Sequence, residues 1–182
     1  MLIKNGKIFT CEEGKIYEKG DILIKDGKIS RIGEDLSQYI GEEEVIDAKG
    51  LLIFPGFIEA HCHLGLHEEG NNGAGNGTNE ASEPITPQMR AIDGINPFDG
   101  GFQSAMEAGV TTAVIGPGSA NVIGGQFAAV KTSGICIDDM IIKEPVAIKV
   151  AFGENPKRVY SGKNKMPNTR MAIAALLRET LT

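Results

Sequence analysis

The sequence predicts an α/β protein in which a β-rich segment precedes alternating strands and helices. Residues 1–54 contain short apolar runs separated by glycine turns, whereas buried strands and helical segments alternate from Pro55 onwards. The chain has 182 residues, of which 41% are hydrophobic, and is long enough to bury a core. We therefore expect a small β domain at residues 1–54 and an α/β domain at residues 55–182.

The first segment is predicted to form an antiparallel sheet. Turn signals such as Asn5-Gly6 recur along it, and Asp26-Gly27 lies between two alternating runs. An Asp-Gly pair in that position is a strong signal for a two-residue hairpin.

In the second segment the pattern predicts a helix over residues 100–108 that ends at Gly109, a buried parallel strand over 110–115 and a second apolar strand over 146–152. A further helix is predicted over residues 169–181. The polar stretch 68–86 is rich in Asn and Gly, and a loop of this length is usually functional or disordered. The strand-loop-helix-strand order is the beginning of an α/β layered fold.

Composition excludes several classes of protein. The formal charge is 18 − 24 = −6 and is spread along the chain, which argues against a nucleic-acid surface. The amino terminus lacks the features of a signal peptide, and no apolar run approaches the roughly 18 residues that a membrane helix needs. Cys11, Cys62 and Cys136 are too scattered for a disulfide framework. We expect free thiols in a cytoplasmic protein that does not contact membranes.

The strongest chemical signal is the run Pro-Gly-Phe-Ile-Glu-Ala-His-Cys-His at residues 55–63. Side chains two apart on a strand face the same side, so His61 and His63 can present both imidazoles to one point. Such a pair suits zinc, iron or nickel. His-x-His alone is also compatible with two half-exposed histidines, but the preceding Pro-Gly and apolar strand favour a metal site. Cys62 faces the other way and is predicted to pack in the core.

Residues 45–63 resemble the amidohydrolase superfamily and, within it, the imidazolonepropionase-related amidohydrolases. The resemblance is carried by Val-Ile-Asp-Ala-Lys-Gly at residues 45–50, which leads into the histidine run at 55–63. Glu59 stands where the family usually has Asp, a difference that keeps the charge. The likeness continues through residues 107–112 and 151–158, and so covers essentially the whole chain.

The resemblance implies a composite β-sandwich domain, of which residues 1–54 are the amino-terminal part, followed by a partial (β/α)8 TIM barrel at residues 55–182. It implies a hydrolase that uses one or two divalent metals, most often zinc, to cleave a carbon-nitrogen bond in a small-molecule substrate, often in a ring. His61 and His63 are then metal ligands on the first barrel strand.

The family also has a bridging carboxylate or carboxylated lysine, for which Glu154 is the candidate and Lys149 the alternative. His67, the only other histidine, is more simply a solvated loop residue. The remaining histidine ligands and a general-base aspartate are therefore expected beyond residue 182, and the 182-residue piece is expected to be inactive alone.

Two other functions stay open. The chain could be a non-catalytic binding or regulatory module derived from the same fold. The glycine-rich turn at residues 116–119 could suggest a nucleotide binder, but it lacks the spacing of a phosphate loop. It and residues 124–126 are better explained as loops that line a substrate pocket. A half barrel would also leave an unpaired edge, so we expect a homo-oligomer or association through that edge.

Overall fold

A computed structural model describes residues 1–41, 44–70, 73 and 75–182. These residues form two compact units, Met1–Pro55 and Gly56–Thr182. No helix in the described ranges combines the length and the apolar character needed to cross a membrane.

The first unit is a five-stranded sheet with the order β3-β2-β1-β4, in which β5 also pairs with β1. Its strands are β1 (Leu2–Phe9), β2 (Ile16–Lys25), β3 (Lys28–Gly33), β4 (Val45–Asp47) and β5 (Leu52–Ile53). The first three strands are antiparallel, as predicted. The prediction is wrong for β4 and β5, which run parallel to β1, because the chain crosses over from β3 to the far side of β1 instead of turning back in a hairpin.

The predicted hairpin joins β2 to β3. Asp26 and Gly27 have φ angles of 51° and 69°, the left-handed values that a type I′ turn requires at both central positions. One face of this sheet buries Leu2 and Leu23 against Leu36. The buried carboxylate of Asp21 accepts the backbone N–H groups of Asn5 and Leu36, which ties the crossover to the sheet.

The second unit is a four-stranded sheet with the order β6-β7-β8-β9. Its strands are β6 (Phe57–Cys62), β7 (Val110–Ile115), β8 (Ile123–Lys131) and β9 (Ile141–Val150). β6 and β7 are parallel, and β8 is antiparallel to both of its neighbours. β9 therefore points in the same direction as β6 and β7, with one reversed strand inserted among them.

Four helices accompany this sheet in the described residues: α1 (Gly100–Glu107), α2 (Ile137–Met140), α3 (Glu154–Ser161) and α4 (Arg170–Leu181). The predictions for α1, α4 and β7 are confirmed within a few residues. β9 is confirmed as a strand, but it begins at Ile141, before the predicted Val146, and most of its residues are exposed. α1 begins where the Asp99 carboxylate accepts the N–H of Gly101, and the chain leaves it through Gly109 at a φ of 82°.

The prediction that residues 124–126 form a loop is wrong, because they lie in β8. Consecutive glycines are usually read as a break in a strand. Here Gly125 has a φ of 122°, and a methyl group at this position would lie 2.5 Å from the carbonyl oxygen of Met89. The glycine therefore permits an irregular strand against which another segment packs closely.

The core of the second unit lies between this sheet and the segments that pack on it. It consists of aliphatic side chains with one aromatic ring and one methionine: Leu66, Ala91, Ile92, Ile95, Phe102, Ala113, Ile115, Ala128, Val130 and Met140.

The connection from β6 to α1 includes the polar stretch 68–86, of which residues 71, 72 and 74 lie outside the described residues. Its later part is fixed to the body of the unit. Ile85 and Arg90 form parallel bridges with Ile123 and Gln126 of β8. The hydroxyl of Tyr160 donates to the carbonyl of Glu83 at 2.6 Å, and burial raises the pKa of Tyr160 to about 12.

The buried side chain of Asn121 also forms hydrogen bonds with this stretch. Its side chain is 1% exposed, and its amide nitrogen lies 2.5 and 2.8 Å from the carbonyl oxygens of Glu80 and Glu83. It also lies 3.1 Å from the hydroxyl oxygen of Thr86. One buried amide therefore links the start and the end of this part of the connection.

We predict that Asn121→Ala lowers the free energy of unfolding by about 1–3 kcal/mol, because it removes a buried side chain together with its hydrogen bonds to Glu80, Glu83 and Thr86. Denaturation with urea measures the loss, and hydrogen exchange should accelerate in residues 79–86. Asn155→Ala, at an exposed position, is the control and should change stability little. Equal denaturation midpoints for both variants would contradict this account of the connection.

Candidate functional site

His61 and His63 lie at the end of β6, on the same side of the strand. Their ring centroids are 5.6 Å apart, and the planes meet at 88°. Cys62, between them, faces the core cluster of the second unit, and burial raises the pKa of its thiol. The alternation of a strand therefore separates one packing residue from two imidazoles that share a space.

The orientation of His63 is fixed by the end of the neighbouring strand. Its Nδ1 lies 2.7 Å from the carbonyl oxygen of Gly116, the residue that follows β7. A carbonyl oxygen only accepts hydrogen bonds, so Nδ1 carries the proton and donates it. In the neutral ring, Nε2 then keeps its lone pair, which is the form that binds metal.

His61 is held by three neighbours. Its backbone N–H donates to Oε1 of Glu59 at 3.0 Å. Its Nε2 lies 3.3 Å from Nζ of Lys149, and the Phe127 ring stands nearly perpendicular to it at 5.4 Å between centroids. An ammonium group can only donate, so next to a protonated Lys149 the Nε2 of His61 is the acceptor.

The surroundings of His61 lower its pKa overall. Partial desolvation has the largest effect, followed by the positive charges of Lys149 and His63, while Glu59 acts in the opposite direction. Lys149 itself is only 9% exposed, and desolvation lowers the pKa of its amine. Both effects favour neutral nitrogen atoms with lone pairs.

No family model matches the chain, but two other comparisons with known proteins identify relatives. The amidohydrolase tasK of Hapsidospora irregularis is 34% identical over 93% of this chain. The solved structure of an amidohydrolase from Thermotoga maritima MSB8 superposes on 98% of it with a TM-score of 0.90 and 42% identity. The chain belongs to the amidohydrolase superfamily.

A dihydroorotase of Caldicellulosiruptor saccharolyticus is also similar, with 44% identity over 35% of the chain. The chain spans 20% of the tasK protein and 45% of the Thermotoga amidohydrolase, and corresponds to the amino-terminal region of the superfamily. The predicted fold class is confirmed: a small β domain is followed by part of the α/β barrel of these amidohydrolases.

Of the two candidates for a bridging ligand in this amidohydrolase chain, the structure brings Lys149 to the histidines and not Glu154. Glu154 is the first residue of α3, and its side chain is 85% exposed. Its carboxylate pairs with the ammonium group of Lys157 at 2.6 Å, which lowers the pKa of Glu154. Lys149 is buried, unlike most residues of β9.

The donor set that the described residues offer is small. Among them, no cluster of three or more His, Cys, Asp and Glu side chains is placed to hold a metal ion. His67 is exposed, and its backbone N–H donates to the carbonyl of His63 in the turn after β6. The candidate donors are therefore the imidazoles of His61 and His63 with the amine of Lys149 beside them.

A pocket of about 410 Å³ that is lined in part by Gly124 lies next to the Lys149 side chain. A methyl group on Gly124 would touch the Lys149 side chain at 3.3 Å. The lining includes Asn79 and the ion pair of Arg90 with Asp93. These residues belong to the connection after β6 and were not identified from the sequence, where only the length of that connection indicated function.

The turn at residues 116–119 is not arranged as a phosphate loop. The N–H groups of Gly116 and Gly118 donate to the carbonyls of Cys62 and Thr78. A methyl group on Gly116 would lie 2.2 Å from the Phe127 ring, so this glycine serves close packing. The contact between Gly116 and Phe127 carries no recognisable signal in the sequence.

We predict that His61 titrates below its usual pKa of about 6.5. Lys149→Met should raise that pKa, because it removes a positive charge, and Glu59→Gln should lower it further. The folded chain resists protonation of His61, so its contribution to stability is present above pH 6.5 and is lost as the pH falls through the lowered value. NMR titration measures the midpoint of His61 in the wild type and in both variants. A wild-type midpoint at or above 6.5 would contradict the geometry described.

Proposed function

We propose that this chain carries the first metal ligands of a hydrolase that cleaves carbon-nitrogen bonds by metal-activated water. A divalent cation, most often zinc in such sites, would be held by His61 and His63. The observation that supports this most is the convergence of two imidazoles at the end of β6, with a hydrogen bond that leaves Nε2 of His63 unprotonated. Relatives named amidohydrolase, dihydroorotase and allantoinase support the reaction class.

The bound cation would lower the pKa of a water molecule towards neutrality and so supply hydroxide. The residues of this chain would orient the two imidazoles and keep them unprotonated for metal binding. The carbonyl of Gly116 orients His63, and partial desolvation keeps His61 neutral. Lys149, whose lowered pKa favours the uncharged amine, is our candidate for the bridging position as a carboxylated lysine.

The substrate class that we propose is a small cyclic amide or amidine. The pocket beside Lys149 combines apolar surface with amide and charged side chains, which offer hydrogen-bond partners for such a molecule. The whole protein would need further ligands and a general base. With two imidazoles and one lysine alone, we expect weak metal binding, because affinity in zinc sites comes from three or four ligands.

The alternative function is a non-catalytic binding module built on the amidohydrolase fold. One observation favours it: the described residues include no third His, Cys, Asp or Glu placed to complete a metal site. Metal binding at the histidines separates the two functions, because a binding module has no need of it.

We predict that the chain binds zinc and that the double variant His61→Ala, His63→Ala loses at least about tenfold in affinity, as expected when ligands are removed. Competition with a chromophoric chelator measures the affinity. His67→Ala is the matched control and should bind zinc as the wild type does. Equal affinity of the double variant and the wild type would refute the proposed site.

Two further substitutions extend this experiment to the bridging position. Lys149→Met should reduce the affinity in buffer containing bicarbonate, whereas Glu154→Gln should not, because Glu154 pairs with Lys157 at the surface. The reverse order of effects would assign the bridging role to Glu154.

We also propose that copies of the chain associate through the exposed apolar residues of β6 and β9. Ile58 and Ile148 on these strands are 67% and 53% exposed. We predict that light scattering detects assemblies larger than a monomer and that Ile58→Lys reduces them. Met171→Lys, at a 78% exposed position of α4, should leave assembly unchanged. A monodisperse wild-type monomer would contradict this proposal.

A further inference from the structure

We propose that Phe127 is a positioning residue for the two histidines. Its ring fills the space that Gly116 leaves open, and by doing so it holds both imidazoles in the arrangement in which they converge. The consequence for metal binding rests on the proposed function, whereas the positioning role itself is a property of the folded chain.

The direct contact is with His61. Phe127 is 6% exposed and lies in the middle of β8, opposite Ala147 of β9. Its ring meets the His61 imidazole at 82° with 5.4 Å between centroids. Aromatic rings prefer this edge-to-face geometry over parallel stacking at full overlap, so the contact selects one orientation of the His61 ring.

The indirect contact is with His63. The Phe127 ring packs on the Cα of Gly116 so closely that a methyl group there would lie 2.2 Å from Cδ1. The carbonyl of the same glycine accepts the proton of His63 Nδ1. Any displacement of the ring or of Gly116 therefore changes the position of the carbonyl that fixes His63.

β8 is also next to the strand that carries Lys149. Gly125 of β8 pairs with Lys149 of β9, and Lys149 reaches Nε2 of His61. Phe127 and Lys149 thus contact His61 from adjacent strands. Phe127 makes an apolar contact with the ring, and Lys149 makes a polar contact with Nε2. The inserted antiparallel strand brings the ring to the histidines, which lie on β6 two strands away.

The experiment uses the 182-residue chain with Phe127→Leu, which removes the ring and keeps an apolar side chain, and Gly116→Ala, which pushes the ring from the other side. The double variant completes a cycle, because leucine leaves more room for the added methyl group. Phe98→Leu makes the same chemical change at a 74% exposed position and serves as the control.

The first readout is the imidazole spectrum of the metal-free chain by long-range ¹H–¹⁵N NMR. We expect Phe127→Leu and Gly116→Ala each to shift the resonances of both His61 and His63, with less than additive effects in the double variant and none in Phe98→Leu. An NOE between the Phe127 and His61 rings should be present in the wild type. Absence of that NOE overturns the proposal even where a variant fails to fold.

The second readout is zinc affinity, which should fall about 10- to 100-fold in Phe127→Leu, the usual effect of losing a residue that orients a metal ligand. Folded variants with wild-type imidazole spectra and wild-type zinc affinity would overturn the positioning role. Shifted spectra in a chain whose wild type binds zinc no better than His61→Ala, His63→Ala would instead uphold that role and refute the metal site.

Discussion

The hydrogen bond between Nδ1 of His63 and the carbonyl of Gly116 is the interaction on which the candidate site depends. It joins the end of β6 to the end of β7 and decides which nitrogen of His63 is protonated. The parallel pairing of these strands puts the two ends at the same edge of the sheet. The parallel pairing of β6 and β7 thus determines the tautomer of His63, in which Nδ1 carries the proton and Nε2 keeps a lone pair.

The environment of His61 complements that bond. Phe127 and Lys149 come from strands that are distant from His61 in sequence, yet both contact its ring. The buried lysine and the partly desolvated imidazole each have a lowered pKa. A lowered pKa favours the unprotonated imidazole of His61, which cation binding requires, since a protonated imidazole has no lone pair to offer.

Much of this arrangement could be predicted from the sequence where local rules apply. The alternation of a strand predicted the shared side of His61 and His63, and Asp26-Gly27 predicted its hairpin because both positions need a left-handed backbone. The pairing of strands that are distant in sequence was harder to predict. The crossover that makes β4 and β5 parallel to β1 has no local signal in the sequence. The glycines of β8 suggested a loop, although they lie in a strand and allow it an irregular backbone.

The choice between Glu154 and Lys149 shows the same limit, since position at the end of a strand does not decide which way a side chain turns. The central claim is that a cation binds between the two imidazoles. An anomalous difference map from a zinc-soaked crystal tests it most directly. If the cation binds there, a peak appears about 2.0–2.1 Å from Nε2 of both His61 and His63. A map with no peak there, or with zinc bound through only one of the rings, would contradict it.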